Sequence, residues 1–163
     1  MAQRRNQKRK LSHVTADGAP RMVDVGAKAV TRREAVAEAW VTVGRAIAVQ
    51  LRREGVLAKG NVLEAARLAG IMAAKQTPNL IPLCHPLALD WVNVRADLEG
   101  DRVHIRAEAA AEGKTGVEME AMTAAAVAAL TVYDMVKSAG KAVEIGPLRL
   151  LEKKGGKSGP WKR

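Results

Sequence analysis

The stretch Thr31-Arg32-Arg33-Glu34-Ala35-Val36-Ala37-Glu38-Ala39-Trp40-Val41-Thr42-Val43 decides the fold. Ala35, Ala37, Ala39, Val41 and Val43 alternate with Glu34, Val36, Glu38, Trp40 and Thr42, and a period of two belongs to a strand with one buried face. The rival is a helix, because Thr31-Arg32-Arg33-Glu34 reads as a capping box and the alanines favour helix.

Working outward, a short helix over 45–53 ends at Gly55, and a second opens at Asn61, an N-cap with Glu64 three residues on. Val62, Ala65, Ala69, Met72 and Ala73 form its expected apolar stripe, and Thr77-Pro78 ends it. A proline-rich loop over 78–86 carries Cys84 and His85. Residues 89–98 and 102–111 read as strands joined by a Glu99-Gly100-Asp101 hairpin. Thr115-Gly116-Val117-Glu118 is a second capping box, opening an alanine-rich helix to about residue 139. A last strand over 143–151 carries Gly146-Pro147, which predicts a bulge. The order predicts an α+β fold, a ferredoxin-like βαββαβ with an additional helix and an antiparallel sheet packed on helices.

The 163 residues suit one domain that needs no staple, and the single Cys84 with three histidines makes a poor zinc set. The net charge of +10 is concentrated at the ends: Arg4, Arg5, Lys8, Arg9 and Lys10 on one side, Lys153, Lys154, Lys157, Lys162 and Arg163 on the other. The division expected is a basic disordered tail over 1–10, a single catalytic domain over 11–152 and a basic, glycine-rich flexible tail over 153–163. With a neutral body, no Phe and only four other aromatics, a nucleic-acid-binding protein is a weak reading, as is a non-catalytic scaffold of the same fold. The N-terminus lacks a signal peptide's apolar run and no window reaches a membrane span, so a cytoplasmic protein without membrane contact is expected.

Charges on apolar elements are costly unless paired or used, and this chain has several. Asp134 and Lys137 share a face of the long helix after an uncharged run from Met122 to Val132. Such a lysine among apolar groups loses its proton more easily, and the aspartate can exchange one with it. Glu118 and Glu120 flank Met119 at the helix start, where Glu118 suits the helix dipole and Glu120 is left for substrate. At 1.5 Å per residue Glu120 and Asp134 stand about 21 Å apart, so a small substrate meets both only between chains. Lys59 precedes the second helix, whose free N–H groups favour an anion. Leu83-Cys84-His85-Pro86 fixes a histidine in a stiff loop without the partners of a metal site or hydrolase triad. Gly155-Gly156-Lys157-Ser158-Gly159 imitates a phosphate loop but fails its spacing, since Leu151 stands where the first glycine belongs.

Longer matches lie in Leu11-Ser12-His13-Val14, Met22-Val23-Asp24-Val25, Ala69 to Lys75, Leu80 to Leu87, Thr115 to Ala121, Leu130 to Met135 and Leu150 to Gly159. Through them the chain resembles the cyclic pyranopterin monophosphate synthase family of molybdenum cofactor biosynthesis. The resemblance implies a lyase that turns the cyclised dihydroguanosine triphosphate made from GTP into cyclic pyranopterin monophosphate with release of diphosphate. It implies a homo-hexamer, a trimer of dimers, with sites at the dimer interface. Neither a resident cofactor nor a metal is implied, and a divalent ion with the triphosphate is left open. Carried over by position, the catalytic groups fall on Asp134, Lys137 and Lys59, and the substrate-binding ones on Leu83, Cys84, His85, Glu118, Met119 and Glu120. The roles expected are proton transfer for Asp134 and Lys137 and triphosphate binding for His85 and Lys59. The chain departs from the common pattern at Val136, Ser138, Ala88, Asp90, Ala58 and Asn61, none of them a proposed catalytic group.

Overall fold

The computed structural model describes residues 13–15, 17–54, 56–57 and 60–163, with only the backbone at Glu54, Val56, Leu57 and Gly60. Its elements are β1 (Thr31–Thr42), α1 (Arg45–Glu54), β2 (Val56–Leu57), β3 (Gly60–Asn61), α2 (Val62–Ala74), α3 (Thr77–Leu80), β4 (Trp91–Glu99), β5 (Arg102–Gly113), α4 (Glu118–Val136), β6 (Glu144–Lys154) and β7 (Trp161–Lys162). The period-two reading of β1 holds, and the strand is central. The sheet runs β4-β5-β1-β6-β7 with every pairing antiparallel, and β2 and β3 form a separate small ribbon. β5 lies between β4 and β1, the split arrangement expected of an α+β, ferredoxin-like chain.

The hairpin after Glu99 turns on Gly100 at φ +64. Opposite Trp40, the register of β6 slips between Ile145 and Leu148, which places the expected bulge at Gly146-Pro147. Beyond Lys154 the chain turns on Gly155, Gly156 and Gly159, all at positive φ, and returns as β7 against β6.

α2 and α4 cover one face of the sheet. Ala35, Ala37, Ala39, Ala107 and Ala109 from the sheet meet Ala121, Ala124, Ala125, Ala128 and Ala129 of α4, all buried. Small residues facing small residues let the layers approach closely, and little slack remains for larger groups. On length and apolar character alone α4 could cross a membrane, but half of it is buried within the fold, so the core already uses its apolar face.

Two local expectations change. The buried stripe of α2 runs through Val62, Ala66, Gly70, Ala73 and Ala74, while Met72 faces out. α2 approaches α4 on its smallest side chains, so contact distance selected the face and hydropathy did not. The Asn61 cap does form, its carboxamide accepting from Glu64 N at 3.1 Å. The box at Thr115 does not: α4 is capped by Val117 with no side-chain bond, and Glu118 is its first helical residue.

A Cβ at Gly70 would sit 2.8 Å from the carbonyl oxygen of Ala124 and 3.2 Å from both Ala128 Cβ and Val94 Cγ2. Gly70→Ala therefore trades about 1 kcal/mol of helix propensity against an overpacking cost of roughly 1–3 kcal/mol. The expected outcome in urea unfolding is a net loss of stability; a gain would show that the two helices have room to separate.

The other sheet face is polar. Glu38 is buried there, its carboxylate accepting from Arg149 Nε at 2.7 Å and meeting His104 Nε2 at 2.8 Å. Burial pushes its pKa up, but the bonds and charges of Arg149 and His104 outweigh that and hold it below the ordinary value. Trp40 stacks on His104 at 4.1 Å, and Arg102 lies 4.3 Å over Trp40.

Candidate active site

The start of α4, the loop after α3 and the end of β6 converge beside two adjoining cavities. One, of about 580 Å³, is lined by Leu83, Cys84, His85, Glu118, Met119 and Glu120, together with Val23, Val25 and Leu87. Six of the nine residues singled out from sequence thus share one wall. The loop is shaped for this: Thr77 is buried with its hydroxyl bonded to Ala74 O at 3.0 Å, and Cys84 N donates to Ile81 O at 3.1 Å.

The second cavity, of about 880 Å³, shares Lys28, Thr115, Gly116, Glu118 and Lys153 with the first. Its further cations are Arg33, Lys114, Lys154 and Lys157. Six basic side chains around one carboxylate make a lobe for a multiply charged anion. Arg33 Nε donates to Gly113 O at 3.3 Å, and its guanidinium lies beneath the Gly155-Gly156 turn. A Cβ on Gly156 would fall 1.7 Å from Arg33 Nη1. The glycine pair that imitates a phosphate loop therefore makes room for an arginine.

Sequence reasoning missed Arg33 and Lys28, and it assigned Lys153 to a tail. The available signal was strand alternation: β6 runs on to Lys154, and Lys153 pairs with Ala35, whose side faces the helices. Lys153 Nζ reaches Glu118 Oε1 at 3.1 Å. Glu118 can fold back this way because Gly116 has no side chain; a Cβ there would stand 1.8 Å from Glu118 Oε2.

Glu120 is only 3% exposed. Burial, with the charge of Glu118 adding to it, pushes its carboxyl above the ordinary value, although its own backbone N–H partly opposes this. Burial and Glu120 likewise raise the Cys84 thiol, which disfavours a thiolate nucleophile. The site thus holds a carboxyl inclined to keep its proton beside a basic lobe.

Asp134 and Lys137 do not line either cavity. They form an ion pair of 2.6 Å at the far end of α4, with side chains 58% and 54% exposed. The expectation of a lysine among apolar groups fails within one chain: hydrogen bonding to Asp134 and its charge raise the Lys137 pKa and keep it an ammonium. Lys59 lies outside the described residues. Among the described residues, no three metal-ligating side chains converge.

Between the two ends of α4 runs a stripe at helical spacing, with Met119, Leu130, Tyr133 and Lys137 exposed and Ala126 half-buried. Leu130 is 56% exposed, and Leu68 and Met72 of α2 are also open.

Residues 22–156 match the model of the MoaC family. The cyclic pyranopterin monophosphate synthase of Novosphingobium aromaticivorans is 53% identical over 152 residues, which cover 93% of this chain and 96% of that protein.

Proposed function

This chain belongs to the MoaC family, and on that premise we propose how its cavities serve a cyclic pyranopterin monophosphate synthase, a lyase of molybdenum cofactor biosynthesis. The substrate is a small nucleotide-derived molecule, the cyclised dihydroguanosine triphosphate, and the products are cyclic pyranopterin monophosphate and diphosphate.

The observation that carries this reading is the pairing of a basic lobe with a carboxyl-bearing lobe of mixed polarity. Lys28, Arg33, Lys153 and Lys157 take the triphosphate and stabilise the charge that develops as diphosphate departs. This moves the phosphate-holding role from His85 to the neighbouring lobe. His85, Cys84 and Glu120 face the base-derived rings, with Val23, Val25 and Leu87 as the apolar wall. A raised Glu120 is suited to giving a proton where a ring nitrogen leaves carbon. No resident cofactor is needed, and a divalent ion would enter with the triphosphate as part of the substrate.

Lys137 and Asp134 complete the site from a second subunit. A two-fold axis crossing α4 near Ala126 and Leu130 would lay two copies of the helix antiparallel. The partner subunit's Lys137 then comes to the Glu118 end, and Leu130, Tyr133, Leu68 and Met72 are covered. Three such dimers give the expected hexamer, and the reading places the enzyme in the cytoplasm.

The direct test supplies purified protein with the cyclised dihydroguanosine triphosphate and measures both products. Equal amounts of cyclic pyranopterin monophosphate and diphosphate are expected, with inorganic diphosphate inhibiting competitively. Lys153→Ala weakens that inhibition and raises KM more than it lowers kcat. A folded oligomer that releases neither product removes the catalytic reading.

A further inference from the structure

Between His13 and Lys28 the described residues, all but Ala16, contribute no element to the sheet or helix layers, yet several are held by local hydrogen bonds. Val14 bridges Pro20, Arg21 N donates to His13 O at 2.9 Å, and Thr15 N donates to Ala19 O at 2.9 Å. The Thr15 hydroxyl also receives Ala19 N at 2.9 Å, and the hairpin turns on Gly18 at φ +90. Further on, Gly26 N donates to Asp24 Oδ1 at 2.7 Å, and Lys114 Nζ clamps Gly26 O at 2.6 Å. So ordered a segment with so little buried apolar surface calls for another use.

The segment follows the rim of the ring-side cavity. His13, Val23, Val25 and Lys28 all line it, together with Cys84, His85 and Glu120. No described residue hydrogen-bonds the His13 imidazole. His13 lines the ring-side cavity and is absent from the wall of the basic lobe, whereas Arg33 and Lys154 show the reverse pattern.

We infer that His13 is a substrate-contacting residue, carried to the ring side of the site by the Gly18 hairpin, where its imidazole hydrogen-bonds the base-derived rings of the nucleotide. The inference rests on the synthase reading. The hairpin holds His13 on the lining of the cavity that Val23 and His85 also line. An imidazole can donate or accept, which suits a purine-derived edge that changes its protonation during ring opening and closure.

The test begins with wild-type turnover, since a wild type without activity counts against the synthase reading and not against His13. With an active wild type, His13→Ala should lower kcat/KM by roughly 10- to 100-fold, the loss of one hydrogen bond to substrate. Inhibition by inorganic diphosphate, which occupies only the basic lobe, should stay within about twofold of wild type. Gly18→Val places a Cβ with nothing within 4 Å, but strains the turn at φ +90. It should reproduce the His13→Ala loss with circular dichroism and oligomer mass unchanged, and the double variant should be no worse than His13→Ala alone. A His13→Ala enzyme within twofold of wild type overturns the inference. So does a double variant that loses as much again, or an equal loss of diphosphate affinity.

Discussion

Lys137→Ala and Glu120→Gln are each expected to be inactive, and mixed oligomers of the two are expected to recover activity. The two positions stand 17 residues apart on α4, about 26 Å along the axis, so one chain cannot bring both to one small substrate. If a site takes its Glu120 from one chain and its Lys137 from the partner, a mixed dimer contains one intact site and one doubly damaged site. Random pairing of equal amounts makes half the dimers mixed, so about a quarter of wild-type activity returns. The Lys137–Asp134 pair is exposed in a single chain, so Lys137→Ala leaves the monomer fold intact, and its loss of at least ~1000-fold in kcat reads as chemistry. Co-expression under two affinity tags and assay of the doubly tagged fraction measures the recovery directly. No recovery in a fraction that contains mixed dimers would mean that Glu120 and the partner subunit's Lys137 do not serve one site, and the antiparallel α4 pairing would be wrong.

Elements defined by alternation or by turn chemistry were legible in the chain. β1 shows period two because its Ala and Val side faces helices and its other side faces a polar cluster. The Glu99-Gly100-Asp101 hairpin and the Gly146-Pro147 bulge follow from residues whose backbone preferences are local. What could not be read depends on how closely two layers approach. Hydropathy put Met72 in the α2 stripe and passed over Gly70, but the α2–α4 contact is set by the absence of a side chain at Gly70. The Thr115 box failed for a similar reason, since Glu118 spends its carboxylate on Lys153 and not on the helix start.

The candidate site was legible where its groups are contiguous in sequence, as in Leu83-Cys84-His85 and Glu118-Met119-Glu120. It was not legible where cations are collected from distant strands. Arg33 from β1, Lys114 after β5 and Lys153 from β6 meet only through the register that pairs Arg33 with Ala111 and Ala35 with Lys153. Counting charge along the chain placed Lys153 with its neighbours in a terminus, because a sum over sequence has no record of which side of a strand a residue faces.

Glu120→Gln is expected to separate stability from function. The Glu120 carboxyl is held above its ordinary value of 4.5 by burial and by Glu118, so the folded state prefers the protonated form more than the unfolded state does. For a carboxyl raised on folding, the favourable contribution is complete below the unfolded pKa and is lost as pH rises through the folded one. At pH 8 the buried group must either ionise against its surroundings or retain a proton that the unfolded chain would release, and both reduce stability. Glutamine keeps the shape and the donor without that cost. The variant should therefore have a higher unfolding midpoint than wild type at pH 8, with the difference vanishing at about pH 4, while turnover falls by ~100-fold or more because glutamine has no proton to give. Thermal unfolding at the two pH values, beside the product assay, checks both halves. A variant destabilised at pH 8 would place an ionised Glu120 in a favourable pairing and end its role as a proton donor. Retained turnover with the stability gain would leave Glu120 a buried carboxyl without a catalytic task. The combination expected, more stable and inactive, is what a fold produces when it keeps a carboxyl in an unfavourable place for the sake of the proton it carries.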